Sequence, residues 1–268
     1  MTDRPFIRTI APSLTRLGLQ LTVSLALAGL IAAPSELRAQ GRGRGAGPAP
    51  PQTPKAAAPI DLTGYWVAVV TEDWRYRMVT PMKGDYQGVP MTDAARAVAD
   101  AWDPDKEEAS GDRCKSYGAP AILRVPGRLH ITWQDDQTLK MDTDVGQQTR
   151  VFHFGDWKSP GGPATLQGDS VAEWQQAGGR GATDGSLTVT TTNLKGGFLR
   201  KNGIPYSDRT TMTEYYELVT EPDGSPLLVV TISTTDPVYL RQPFVITSQF
   251  KKEPTDAKWK PAPCSAKW

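Results

Sequence analysis

Both histidines of the chain, His130 and His153, fall in one stretch, RLHITWQDDQTLKMDTDVGQQTRVFHFGD (128–156). Three alternating runs there are separated by QDDQ and DVGQ, turn sequences short enough for hairpins. Pairing the apolar positions across each turn sets Trp133 opposite Leu139, and Leu139 opposite His153. The other face then carries a row of His130, Asp142 and Arg150. An imidazole oriented by a carboxylate and set beside a guanidinium is equipped to bind an anion or to act as a general base. The same row also serves as a cross-strand charge ladder, contributing about 0.2–1 kcal/mol per pair. The inference depends on register, because a slip of one residue moves every side chain to the opposite face. In this register the two histidines point in opposite directions and share no metal or catalytic site. His153, between Phe152 and Phe154, reads as a packed or cavity-lining residue.

A second candidate lies in TMTEYYELV (211–219), where Glu214 and Tyr216 share one strand face and Tyr215 and Glu217 the other. Either pair, if inward, places a carboxylate and a phenol in the interior. Buried charge is costly without a partner, so an inward glutamate calls for an arginine such as Arg150, as a ligand clamp or as a structural ion pair. Two loops mix aromatic and cationic side chains: EDWRYRM (72–78) and LKGGFLRKNGIPYSD (194–208), the latter with Phe198, Arg200, Lys201 and Tyr206. Such loops at a barrel mouth suit lids or recognition elements. No Gly-x-Ser-x-Gly elbow, His-Glu-x-x-His helix or phosphate-cradling Gly-Lys-Ser/Thr loop is present. The carboxylates of 102–112 and 142–146 lack the full calcium-loop spacing, so neither metal nor cofactor is expected.

These residues need elements to position them, and the chain ends frame those elements. Arg4, Arg8 and Arg16 precede LTVSLALAGLIAA (21–33), an apolar run short of the ~20 residues that span a bilayer. Residues 1–39 therefore read as an export signal, which directs the protein to the periplasm or outside the cell and leaves no transmembrane segment after removal. Residues 40–59, rich in Gly, Pro and Ala, read as a disordered linker. Residues 60–268 form one domain with 23 Lys/Arg against 27 Asp/Glu, a net charge of −4 that does not favour a nucleic-acid partner. In an exported protein the two cysteines, Cys114 and Cys264, are expected to form a disulfide. The loop it closes is long enough for a stabilisation of up to ~5 kcal/mol.

Period-two patterns dominate from residue 61 onward. Strands are read at 61–71, 121–126, 128–134, 138–144, 148–154, 170–175, 186–194, 210–219, 226–235 and 244–252. One helix is expected over 92–103, with Thr92 as N-cap, Pro104 as stop and Ala95, Val98 and Trp102 on its packed face. Short turns predominate, so the fold class is all-β: an antiparallel meander barrel with one short flanking helix, the alternative being a β-sandwich.

The segments GSLTVTTTNL (185–194), TTMTEYYELV (210–219) and TDPVYLRQPFVITSQFKK (235–252) resemble a widespread group of uncharacterised secreted bacterial β-proteins. The resemblance covers about 60–252 and implies export and a lipocalin-like fold, but it brings no catalytic residues. The insertion QQAGGRGATD (175–184) departs from the short turn of that group and puts the local hairpin in question.

Three functions fit these features. The first is a barrel that binds a small apolar or amphipathic molecule, with His130, Asp142, Arg150, His153, Glu214 and Tyr216 as candidate ligand-binding residues. The second is a hydrolase, lyase or isomerase using His130 with Asp142 and Arg150, or Glu214 with Tyr216. The third is a non-enzymatic envelope module that displays the two loops. A closed cavity of several hundred Å³ favours the first and a His–carboxylate pair at its floor the second. A side-chain-filled barrel with aromatic loops on one rim favours the third.

Overall fold

The computed structural model describes residues 52–177 and 184–267. The export signal and residues 40–51 of the linker lie outside the described residues. Nine strands close a barrel: β1 (Gly64–Val69), β2 (Arg128–Asp135), β3 (Thr138–Thr143), β4 (Thr149–Phe154), β5 (Asp169–Gln176), β6 (Gly185–Thr192), β9 (Thr211–Thr220), β10 (Pro226–Thr235) and β11 (Phe244–Glu253). Between β6 and β9 a separate hairpin, β7 (Gly197–Arg200) and β8 (Ile204–Tyr206), occupies the segment read as loop. The barrel closes where β1 pairs with β2 on one side and β11 on the other. Alternation is clean on the long strands: Met212, Glu214 and Tyr216 point inward, while Tyr215 stays exposed.

One neighbour pair, β4 with β5, is parallel rather than part of a meander. Segment 155–168, with four glycines and two prolines, carries the chain back to the end of the barrel where β4 began. Parallel neighbours need a crossover of about this length. The hairpin in question, β5 with β6, is paired along its whole length from Asp169↔Thr192 to Gln176↔Gly185.

The β2–β3 register is the expected one, with His130 opposite Asp142 and Trp133 opposite Leu139. The β3–β4 register is shifted by one residue: Thr138 faces His153, Leu139 faces Phe152 and Met141 faces Arg150. The expectation took Val151 and His153 as the apolar face of β4. Burying the two phenylalanines, 152 and 154, removes more apolar area than burying Val151, and Arg150 shares their face. The connecting turn accommodates this with Gly146 and Gln147 both in the left-handed region, at φ 81° and 49°. The two histidines thus share the outer face.

Among the described residues the helical parts are four short helices, α1 (Trp74–Arg77), α2 (Asp93–Ala101), α3 (Pro104–Ser110) and α4 (Ala119–Ile122), and a 3₁₀ turn at Lys115–Tyr117. The α2 helix is the expected one, and Thr92 Oγ1 accepts from Ala95 N at its start. Its packed face is Ala95 and Ala99, small residues that let it lie close against β8, whereas Val98 is 38 % exposed. Trp102 covers Gly203, where any Cβ would collide with the indole. The strand expected at 121–126 is instead α4 and the turn after it; Gly118 and Pro120 start a helix there.

Cys114 and Cys264 form a disulfide with Cα atoms 5.1 Å apart. It pins the C-terminal tail beside the β3–β4 turn, where Gly146 N donates to Ala262 O at 2.8 Å. Ordered packing begins before residue 60: Trp174 Nε1 donates to Pro54 O at 2.8 Å. No helix among the described residues is long and apolar enough to cross a membrane.

Candidate functional site

The barrel lumen is filled by side chains, including Trp66, Phe152, Tyr216 and Phe250, around one ion pair. Arg150 and Glu214 are both fully buried and meet in a two-pronged salt bridge, with Nη1–Oε1 at 2.6 Å and Nη2–Oε2 at 2.7 Å. Tyr216 OH donates to Glu214 Oε1 at 3.0 Å, and Arg150 Nη2 donates to Thr191 Oγ1 at 3.2 Å. Burial alone would lower the Arg150 pKa; the carboxylate of Glu214 more than offsets that and holds the guanidinium firmly charged. Burial also raises the Tyr216 phenol well above its ordinary value, and the Glu214 charge adds to it. Each charge here faces its opposite, and the arrangement is that of a structural pair.

The other sequence candidates stand apart from this centre. His130 lies on the outer wall, stacked on Tyr65 with ring centroids 4.1 Å apart and edge-on to Trp259. Its neighbour Asp142 binds Lys140 at 2.8 Å and accepts from Thr149 at 2.6 Å. Arg150 is inside, so the row of His130, Asp142 and Arg150 is not assembled. His153, also on the outer wall, stacks on Trp157 at 4.1 Å beside a depression of about 540 Å³. Burial lowers its pKa, opposed by Asp135 and Asp169. No three His, Cys, Asp or Glu side chains cluster as metal ligands among the described residues.

A different set of residues does converge at the barrel mouth. Arg77 ends α1, Arg124 follows α4, Arg200 ends β7, and Lys201 begins the turn to β8. None of the four is more than 8 % exposed. Each is held by the local fold. Arg77 Nε donates to Arg124 O at 3.0 Å, Arg200 Nη1 donates to Gln87 O at 2.7 Å, and Lys201 Nζ donates to Tyr117 OH at 2.6 Å. The Arg200 guanidinium also lies over the Tyr76 ring, 4.2 Å from its centroid. One carboxylate bridges two of these cations: Asp73 Oδ2 lies 2.9 Å from Arg124 Nη1 and 3.8 Å from Arg200 Nη2.

This cluster is over-supplied with positive charge and with donors. Arg124 Nη2 and Arg200 Nε are buried and meet no acceptor among the described residues. Each such orphaned group costs about 1–3 kcal/mol. Burial, with the neighbouring Arg124 charge, pushes Arg77 and Arg200 down to about 10, and burial pushes the Lys201 ammonium down to about 7. The four cations line a cavity of about 20 Å³ together with Tyr76 and Ser116. Arg200 and Tyr76 also line a larger, more open vestibule of about 310 Å³, whose other walls include Asp73, Phe244, Val245 and Ile246.

Sequence reasoning flagged the loops that carry Arg200, Lys201 and Arg77 but missed Arg124 and Asp73 as members of one site. The mixed aromatic and cationic composition was the available signal. The misreading of 121–126 as a strand hid Arg124. No protein-family model, curated protein or solved structure matches the chain. Fold and site together define a closed all-β barrel, disulfide-stapled, with a buried cationic pocket at its mouth.

Proposed function

We propose that the protein is an exported barrel that binds a small amphipathic molecule carrying an anionic group, held at the barrel mouth rather than in the lumen. The observation that carries this reading is that Arg124 and Arg200, both buried, share the Asp73 carboxylate and still leave one N–H each without an acceptor, with Arg77 buried beside them. Buried charges are ordinarily paired one to one or neutralised, and a surplus of guanidinium donors facing a cavity is the arrangement that recognises an anion. The apolar wall of Phe244, Val245 and Ile246 next to Arg200 suits the non-polar part of the same molecule. The disulfide fits an oxidising compartment, in accord with the export signal and the resemblance to secreted β-proteins.

Isothermal titration with four ten-carbon amphiphiles below their micelle concentrations tests the reading: decanoate, decyl sulfate, decyl phosphate and the neutral decyl glucoside. Anionic members should bind and the glucoside should not. Arg124→Met should weaken the anion by at least about tenfold. Equal binding of the neutral amphiphile, or an unchanged affinity in the variant, would remove the mouth as the site.

A further inference from the structure

We infer that Asp73 is a built-in stand-in for the ligand's head group, and that this head group is a carboxylate. The inference rests on the anion-binding reading above and names the chemistry of the anion. Three observations on Asp73 lead to it. Its carboxylate is the counter-charge within 4 Å of both Arg124 and Arg200, and it stands at the wall of the vestibule where that vestibule meets Arg200. Its backbone is left-handed, φ 50° and ψ 25°, a conformation uncommon outside glycine that aspartate tolerates better than most residues. Although it precedes α1, its side chain makes no capping bond to that helix, so the carboxylate is committed to the arginines and not to local structure.

The fit is also incomplete in a telling direction. Asp73 reaches the two guanidiniums through a single oxygen, Oδ2, and leaves Arg124 Nη2 and Arg200 Nε without an acceptor. A free carboxylate entering from the vestibule is not constrained by the strap's backbone. It can present both oxygens to Arg124 in the planar two-pronged geometry that arginine and carboxylate favour. Ligand entry then displaces the Asp73 side chain and loosens the start of α1, while Arg77 Nε still donates to Arg124 O. Along 74–82 several large apolar side chains stand in solvent: Trp74 is 65 % and Met82 is 81 % exposed, with Met78 and Val79 also exposed. Trp74 follows Asp73 of the vestibule wall directly in the chain, and can swing over the ligand's apolar portion once the Asp73 side chain leaves Arg124.

The test uses the full chain with decanoate, decyl phosphate and decyl sulfate, read by titration and by the difference in tryptophan emission between wild type and Trp74→Phe. The wild type should bind decanoate in preference to the other two, with an emission shift that Trp74→Phe abolishes. Asp73→Asn, which removes the internal competitor, should bind decanoate about tenfold more tightly. Glu72→Gln, the same loss of charge one residue away, should change affinity by no more than about twofold. Asp73→Ser serves if the Asn variant does not fold. Binding of none of the three amphiphiles overturns the anion-binding reading itself. Phosphate or sulfate bound as well as decanoate overturns the carboxylate assignment and leaves anion binding standing. Weaker decanoate binding by Asp73→Asn, or an equal gain in Glu72→Gln, overturns the stand-in role.

Discussion

The barrel holds buried arginines in two places, and they are treated in opposite ways. In the lumen Arg150 is clasped by both oxygens of Glu214, while Tyr216 and Thr191 take up neighbouring bonding positions. At the mouth Arg124 and Arg200 share Asp73 with Arg77 buried beside them, and two guanidinium N–H groups are left over. Charge balance, not burial, separates them. In the matched pair each charge has its opposite, although Arg150 Nε, too, meets no acceptor among the described residues, and the pair serves to fix the packing around it. A surplus of one sign beside a cavity is what the proposed anion would neutralise.

The sharpest way to break this contrast is to unbalance the matched pair. Glu214→Gln leaves the Arg150 charge in the lumen without its anion, and the expected loss is about 3–5 kcal/mol in urea unfolding. Replacing both partners with apolar residues, Arg150→Met with Glu214→Leu, should recover most of that loss. If the single variant falls by less than about 1 kcal/mol, the lumen is wetter or more adaptable than its packing indicates, and the contrast with the mouth fails.

A smaller effect separates the two regions by pH. The Lys201 pKa is lowered from 10.5 to about 7 by burial, whereas the Arg150 pKa is raised. Between about pH 7 and 10.5 the unfolded chain holds a proton on Lys201 that the folded chain has released. Stability from this group therefore rises with pH across that window, by up to about 1.4 kcal/mol per unit, and falls away as the pH drops toward 7. Arg150 adds no slope there, because it stays charged in both states. Unfolding curves from pH 7 to 9.5 should show the slope in wild type and its loss in Lys201→Met. Identical slopes would mean that the ammonium remains solvated.

Much of this was legible in the sequence, and the parts that were not share a cause. The long strands β9, β10 and β11 alternate so regularly that period two puts Glu214 and Tyr216 on one face, while which face turns inward is not in that pattern and is set by the closed barrel. The partnership of an inward Glu214 with Arg150 was also readable, since a buried carboxylate requires a cation. The β3–β4 register was misjudged because apolar residues occupy both faces of β4, and the burial of Arg150 depends on a glutamate 64 positions away. The mouth was harder still. Its members come from α1, the turn after α4, and the β7–β8 hairpin, segments with no long-range periodicity that are brought together only when the barrel closes. Aromatic and basic composition marked two of those three segments. Nothing local marked Arg124.

The smallest stability effect is the most instructive one. Arg124→Met keeps a buried aliphatic stem at this position and removes a guanidinium with one salt bridge and one orphaned N–H. The partner left behind, Asp73, has a side chain 38 % exposed and can turn to water, unlike the lumen arginine that Glu214→Gln strands. Removing one of several like charges also relieves repulsion from Arg77 and Arg200, both of which feel the Arg124 charge. The net change in unfolding free energy should stay within about 1 kcal/mol and fall on the stabilising side. An arginine that can be deleted from a protein interior without penalty is not part of what holds the fold together. A loss of several kcal/mol would instead make Arg124 a structural residue like Arg150, and the two regions would no longer be different in kind.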